Sequence, residues 1–170
     1  MTNDCHSLGQ IREKMVDHWP EAVTPACDLV TSVARLSDLL LAHSRPTIAS
    51  HGLTSSEFDV LITLRKMAPP YELTPTALRN STLITSGGLT KVLHQLEDRQ
   101  LVERQDDPLD GRIKRVRLTP AGVNTAESTL AEILSADAAM LNQLISNNAL
   151  QELNSALMKL LAGVEAQVPR

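Results

Sequence analysis

The stretch Leu73–Leu118 constrains the fold of this chain more than any other. It begins with Thr74 and Pro75, an N-cap residue followed by a proline at the first helical position, which is a strong start signal for a helix. A second start follows at Thr85, and apolar residues then recur at helical spacing as far as Leu96. Two short strand patterns complete the stretch. The order predicts a short helix, a turn, a second helix and a two-stranded hairpin.

The second helix of this stretch has two faces of different chemistry. One face is an apolar stripe from Leu89 to Leu96, while the opposite face has short or basic side chains that can reach base edges or phosphates. Its two glycines each cost roughly 1 kcal/mol of helix propensity relative to alanine, and they let a phosphate backbone come close. A plain amphipathic helix with a solvated face is the alternative. The candidate DNA contacts here are Thr85, Ser86, Gly87, Thr90, Lys91 and His94.

The hairpin that follows has the pattern of a basic wing. A short strand, Leu101–Arg104, and a return strand, Ile113–Leu118, flank a turn-rich segment. Arg112 and Lys114 lie near the tip, where they can enter an adjacent minor groove that concentrates negative potential. Asp110 is placed to pair with Arg112 and hold its orientation. The sequence therefore predicts a mainly α fold with a small β-hairpin wing, a winged helix-turn-helix, with Asp110, Arg112 and Lys114 as further DNA contacts.

Two motifs follow each other in fixed order around the wing. Asp110 and Arg112 form an Asp-x-Arg pair, and Leu118, Thr119 and Gly122 form a Leu-Thr-x-x-Gly helix start. This combination resembles the MarR family of bacterial transcriptional regulators. The resemblance implies a homodimer that binds a near-palindromic site on double-stranded DNA, as a repressor that a small ligand releases.

The helices on either side of the winged segment carry more apolar surface than one small domain can cover. Exposed apolar stripes of that size usually mark an interface, so the terminal helices are expected to form a two-fold dimer, as in the family. An intramolecular helix bundle is the alternative. The predicted organisation is N-terminal dimerisation helices in residues 1–52, the winged helix-turn-helix in 53–118, and C-terminal dimerisation helices in 119–170.

Start and stop signals define the N-terminal helices. Ser7–Trp19 reads as the first helix, because a capping box opens it and a proline follows it. A long second helix begins after Thr24 and runs to about Ser44, where Pro46 either closes or kinks it. Trp19 is expected to be a core residue, with the lining of a pocket as the alternative.

The charge of the chain is unevenly distributed. Its net charge of −4 argues against a general nucleic-acid coat protein. Residues 74–118, however, contain eight of the sixteen basic residues and only six of the twenty acidic ones, so this segment is +2 and the remainder is −6. We expect the acidic remainder to face away from DNA while local positive charge carries binding.

An enzyme is the rival class of protein. The histidines show no zinc-binding spacing, and Ser86-Gly87-Gly88 lacks the G-x-S-x-G nucleophile elbow. No enzymatic activity, metal or cofactor is therefore expected. No apolar run is long enough to cross a membrane, and a cytoplasmic setting is the expectation. A helical protein-interaction module that does not bind DNA is a further alternative.

A ligand site is implied by the resemblance alone. The N-terminal helix that ends in tryptophan resembles the urate-responsive branch of the family, and the residues that match its ligand-linked pattern are Trp19, Asp59 and Arg104. Val92 departs from that pattern, because the branch has an arginine there, and the loss of a cation weakens the case for a purine. The expected effector is a small aromatic or urate-like molecule, most simply an anion.

A thiol sensor is the alternative means of control. Cys27 lies in the first turn of the long second helix, where the helix dipole lowers the pKa of a thiol. The peroxide-sensing branch of the family has a cysteine near this position. This chain has no tyrosine nearby to match that branch, and a lone helical cysteine is usually inert packing.

Overall fold

The computed structural model describes residues 7–82, 84–107 and 114–167, apart from the Ser86 side chain. Within these ranges the chain is mainly helical, with one small antiparallel sheet, and it divides into two compact units, residues 1–55 and 56–170. The helices are α1 (Leu8–His18), α2 (Pro25–Ser50), α3 (Ser55–Arg65), α4 (Pro75–Ser81), α5 (Ser86–Asp98), α6 (Pro120–Leu144) and α7 (Asn147–Gln167). The strands are β1 (Glu72–Leu73), β2 (Val102–Asp106) and β3 (Lys114–Leu118).

In the first unit, the predicted helix starts are confirmed. The Ser7 side chain caps α1 in a complete capping box with Gln10, and the Thr24 hydroxyl caps α2 by accepting a hydrogen bond from the backbone N–H of Cys27. The predicted end of α2 near Ser44 is wrong, since the helix continues through Pro46 to Ser50. Proline removes one backbone donor, but four further residues extend the helix beyond it.

Trp19 does not lie in a core within the described residues. Its side chain is 63% exposed at the C-cap of α1, just before a single 3₁₀ turn, Pro20–Ala22. The expectation of a core tryptophan is therefore wrong for the single chain. The first unit as a whole buries few apolar side chains, and Ile48 and Leu53 are its buried hydrophobic residues among those described.

The second unit contains the winged segment, and its sheet has one strand more than predicted. Strand order is β1-β3-β2, with β3 antiparallel to both neighbours. The two-residue strand β1 was missed because so short a run shows no alternation; it pairs Glu72 with Arg117. Strand β2 also extends two residues further than predicted, to Asp106. Position 113, the predicted start of the return strand, lies outside the described residues.

The core of the second unit is built from side chains of α3, α4, α5, β2, β3 and α6. Of the seventeen buried hydrophobic residues in the described chain, fifteen belong to the second unit and lie between Val60 and Ile133. Helix α6 joins this core closely at its first turn, where a Cβ on Gly122 would lie 1.9 Å from the carbonyl oxygen of Leu101. Helix α7 contributes no buried residue. None of the described helices combines the length and apolarity that a membrane span requires.

Candidate nucleic-acid interface

Helix α5 is fixed at both ends by its own sequence. At its start, the Thr85 hydroxyl accepts a hydrogen bond of 3.3 Å from the backbone N–H of Gly88. At its end, Gln100 adopts a left-handed conformation (φ 57°), and the backbone N–H of Leu101 reaches the carbonyl of Leu96 at 2.9 Å. This is a Schellman arrangement, which satisfies carbonyls that a helix end leaves open. The direction of α5 is therefore set locally.

The two predicted faces of α5 are confirmed. Leu89, Val92, Leu93 and Leu96 are buried, whereas Gly87, Thr90, Lys91 and His94 are exposed. Among the described residues, Lys91 has no ion-pair partner, and His94 Nδ1 lies 3.7 Å from Glu97 Oε2. The exposed face thus presents a cation and short polar groups to a partner outside the chain. Ser86 begins the helix, and its side chain lies outside the description.

The two glycines of α5 have different roles in the fold. A Cβ on Gly88 would lie 3.1 Å from Thr85 Oγ1 and 3.2 Å from Ile84 Cγ2, so glycine at this position is explained by crowding in the first turn. A Cβ on Gly87 would meet nothing within 4 Å. The described residues therefore give no packing reason for glycine at 87, and close approach of a DNA backbone stays a prediction from the sequence.

A buried ion pair that the sequence analysis missed supports the far end of α5. Glu57 has a side chain only 4% exposed, and its Oε1 lies 3.3 Å from Nη1 of Arg99, the C-cap residue of α5. Two residues 42 positions apart give no local signal in a sequence. Because an unpaired buried carboxylate is costly, this pair ties the end of α5 to the start of α3.

The basic residues of the wing stem are mostly neutralised within the chain. Lys114 pairs with Asp106, Arg115 with Asp107, and Arg117 with Glu72 at 3.1 Å. The count of eight basic residues in this segment therefore overstates the charge offered to DNA. Lys114 keeps an exposed side chain, as a DNA contact requires. The other two predicted wing contacts, Asp110 and Arg112, lie outside the described residues.

Arg104 lines a cavity of about 190 Å³ between α4, α5 and β2. Its Nε lies 2.9 Å from Glu97 Oε1, so the cavity wall contains a guanidinium that already has a carboxylate partner. The other lining residues are Pro75, Thr76, Arg79, Leu89, Thr90 and Leu93. Of the three predicted ligand residues, Arg104 alone contributes to this cavity. Trp19 belongs to the first unit and Asp59 to α3 of the second.

The Asp59 carboxyl is in an unfavourable setting for its charge. Desolvation raises the pKa of Asp59 above its ordinary value, and the nearby positive charge of Lys66 opposes that rise. The side chain remains exposed in part. Cys27, the predicted thiol, is half-buried and lines a separate groove between α1 and α2 with Leu8, Ile11 and Met15. No group of three metal-binding side chains occurs in the described ranges.

An exposed helix held by a short helix and turn on one side, and by a small three-stranded wing on the other, defines the winged helix-turn-helix class. A model of the MarR family matches residues 51–113 of the chain. The HTH-type transcriptional regulator MhqR of Bacillus subtilis (strain 168) is 30% identical over 105 residues, which make up 61% of this chain and 67% of MhqR. The chain therefore belongs to the MarR family.

Two further relatives agree with this assignment. The HTH-type transcriptional regulator PecS of Dickeya dadantii (strain 3937) is 29% identical over 94 residues, or 55% of this chain, and the match spans little more than half of PecS, 57%. The crystal structure of apo MarR from E. coli superimposes with a TM-score of 0.68 at 26% identity, over 82% of this chain and 98% of MarR. PecS and MhqR are both named as HTH-type transcriptional regulators.

Proposed function

We propose that this protein is a sequence-specific DNA-binding transcriptional regulator that acts as a homodimeric repressor. The observation that carries the proposal is the exposed face of α5, where Gly87 has open space around it and Lys91 has no partner among the described residues. In a winged helix-turn-helix this helix enters the major groove. The family assignment supports the same reading, since the named relatives are transcriptional regulators.

Dimerisation is the second part of the proposal. Sixteen large hydrophobic side chains are exposed in the described chain, and all lie outside residues 51–133, on α1, α2, α6 and α7 or at Trp19. Monomeric soluble proteins rarely expose large apolar patches. A two-fold dimer would bury these faces and present two copies of α5 to a near-palindromic site.

The proposal is tested with a duplex selected by the wild-type protein from a random pool, and affinity is measured by fluorescence anisotropy over a salt series. If Lys91 contacts a phosphate, Lys91→Ala lowers the affinity and reduces the salt slope by about one unit. Arg112→Ala lowers affinity most on A·T-rich flanks if Arg112 enters the minor groove. Lys159→Ala, the same loss of charge on the polar face of α7, is the matched control. Unchanged affinity in both test variants would overturn the assignment of α5 and the wing.

We further propose that a small anionic aromatic or purine-like effector releases the DNA. The cavity beside Arg104 supports this, since it brings two guanidinium groups, Arg79 and Arg104, next to apolar walls. Arg104 in β2 and Thr90 on the exposed face of α5 line the same cavity, so a ligand there contacts the DNA-binding helix. To release DNA, the ligand must bind the DNA-incompetent arrangement more tightly.

The effector proposal is tested by titrating urate and benzoate while operator release and Trp19 emission are followed together. Arg104→Ala is expected to lower the potency of an active ligand, and Trp19→Phe and Asp59→Asn test the other two predicted ligand residues. If a ligand releases DNA and all three variants respond like the wild type, its site lies elsewhere. Release by peroxide that is lost in Cys27→Ser would instead favour thiol control. Failure of the wild type to select any duplex would favour a protein-interaction module.

A further inference from the structure

Four charged side chains form a continuous chain across the stem of the wing. Arg117 Nε lies 3.1 Å from Glu72 Oε2, and the other oxygen of Glu72 lies 3.6 Å from Arg115 Nη1. Nε of Arg115 donates a hydrogen bond to Asp107 Oδ2. Arg115 is thereby held between two carboxylates, one from β1 and one from the residue that follows β2. We call Arg117, Glu72, Arg115 and Asp107 the stem relay.

The relay is more buried than a surface ion pair. The side chains of Asp107 and Glu72 are only 5% and 16% exposed, and the two arginines are about one-third exposed. Val116, between the arginines on β3, faces the opposite side of the sheet and is fully buried. An ion pair removed from water in this way contributes little net stability, but the loss of one partner leaves an uncompensated charge. Such a pair is better suited to fixing a geometry than to stabilising the fold.

The position of the relay indicates what it fixes. Asp107 is the last described residue before residues 108–113, which include Asp110 and Arg112. Glu72 lies two residues before Thr74, the N-cap of α4. The relay therefore joins the end of β2 to β1, which immediately precedes the helix-turn-helix, through one guanidinium. Its two arginines face two carboxylates, so it adds no net charge for phosphate binding.

We propose that Asp107 and Glu72, acting through Arg115, are positioning residues that hold the end of β2 against β1 and β3 at the base of the wing. DNA affinity then depends on side chains that do not touch DNA. The inference rests on the proposed function, and it assigns these carboxylates to the wing contact alone. If this is correct, loss of Asp107 weakens binding only while Arg112 is present to make its contact.

A double-mutant cycle tests this dependence on the duplex selected by the wild-type protein. Asp107→Asn keeps the shape of the side chain and removes its charge. It is expected to lower affinity by an amount up to the whole effect of Arg112→Ala, which for one lost contact is about 5- to 100-fold. In the Arg112→Ala background, the same substitution is expected to change affinity less than twofold. Glu103→Gln, on the exposed side of β2, makes the same chemical change outside the relay and is the matched control.

A second variant separates positioning from folding. Glu72→Gln leaves the Asp107–Arg115 hydrogen bond in place, so it should fold and give a smaller version of the same Arg112-dependent loss. Equal losses in both backgrounds, or no loss from either substitution, would overturn the relay. If the wild-type protein selects no duplex, the proposed function itself is wrong. Failure of the relay and failure of the proposed function are therefore distinguishable.

Discussion

The winged segment and the terminal helices of this chain differ in how many of their apolar side chains are buried. Sixteen of the seventeen buried hydrophobic residues in the described chain lie between residues 53 and 133. The large exposed hydrophobic residues of the described chain all lie outside residues 51–133. Helices α1 and α7 have no buried residue at all, and α2 has only Ile48. The first region buries its apolar side chains within the single chain, whereas the terminal helices leave most of theirs exposed.

This contrast explains why apolar periodicity alone did not locate the core. The stripes of α2 and α7 are as regular as that of α5, but only the α5 stripe is buried in the single chain. Periodicity reports which face of a helix is apolar and not what covers it. The same limit accounts for Trp19, which reads as a core residue from its place in an apolar stripe and is exposed in the single chain.

The substitution expected to destabilise the packed region most is at Gly122. Because a Cβ there would lie 1.9 Å from the Leu101 carbonyl oxygen, Gly122→Ala forces backbone movement between α6 and the segment that precedes β2. We expect a loss of more than about 3 kcal/mol of unfolding free energy, measured by urea denaturation. Gly163→Ala on α7 is the matched control, since nothing lies within 4 Å of its Cβ, and it should be neutral or gain up to about 1 kcal/mol. Similar losses in both variants would contradict the contrast.

The uncovered region is tested by placing a charge on the apolar face of α7. Leu161 is half exposed in the single chain, so Leu161→Asp should leave the monomer folded while it costs several kcal/mol in a buried dimer interface. We expect a monomer by analytical ultracentrifugation, with helicity retained in circular dichroism. Ser155→Asp, on the opposite face of α7, should remain dimeric. A dimeric Leu161→Asp protein would move the interface away from this face.

The third test concerns the exposed polar face of α5, a helix of the packed region. Gly87→Ala removes a helix-destabilising glycine where there is space for a methyl group, and should raise stability by up to about 1 kcal/mol while it lowers DNA affinity. In Gly88→Ala the added methyl group lies 3.1–3.2 Å from Thr85 and Ile84. This variant should therefore gain less stability than Gly87→Ala, or lose stability. Thermal unfolding and anisotropy are measured on both variants. If Gly87→Ala binds DNA as tightly as the wild type, close approach of DNA does not explain the glycine at this position.

Local rules predicted the elements of this fold well because each has a strong local cause. The caps at Ser7, Thr24, Thr74, Thr85 and Thr119 all stand where the sequence places them. What local rules missed depends on contacts distant in sequence: strand β1, the Glu57–Arg99 pair, and the neutralisation of the wing arginines. The last of these matters most for the site, since counting charges cannot tell a paired arginine from an available one.

The smallest expected change in stability comes from a substitution of Asp59 on α3. Its carboxyl is partly desolvated on α3, which raises the pKa of Asp59. The ionised form is thus disfavoured in the folded state, and the resulting loss of stability is absent below the pKa of the unfolded chain and complete above the higher folded pKa. Asp59→Asn should therefore raise the urea midpoint slightly at pH 7, and the gain should shrink as the pH falls toward 4. A gain that is the same at every pH would mean that burial of the charge is not its cause. An acidic residue kept at a cost to stability suits a ligand contact, so the same variant, titrated with benzoate and urate, links this small effect to the proposed effector site.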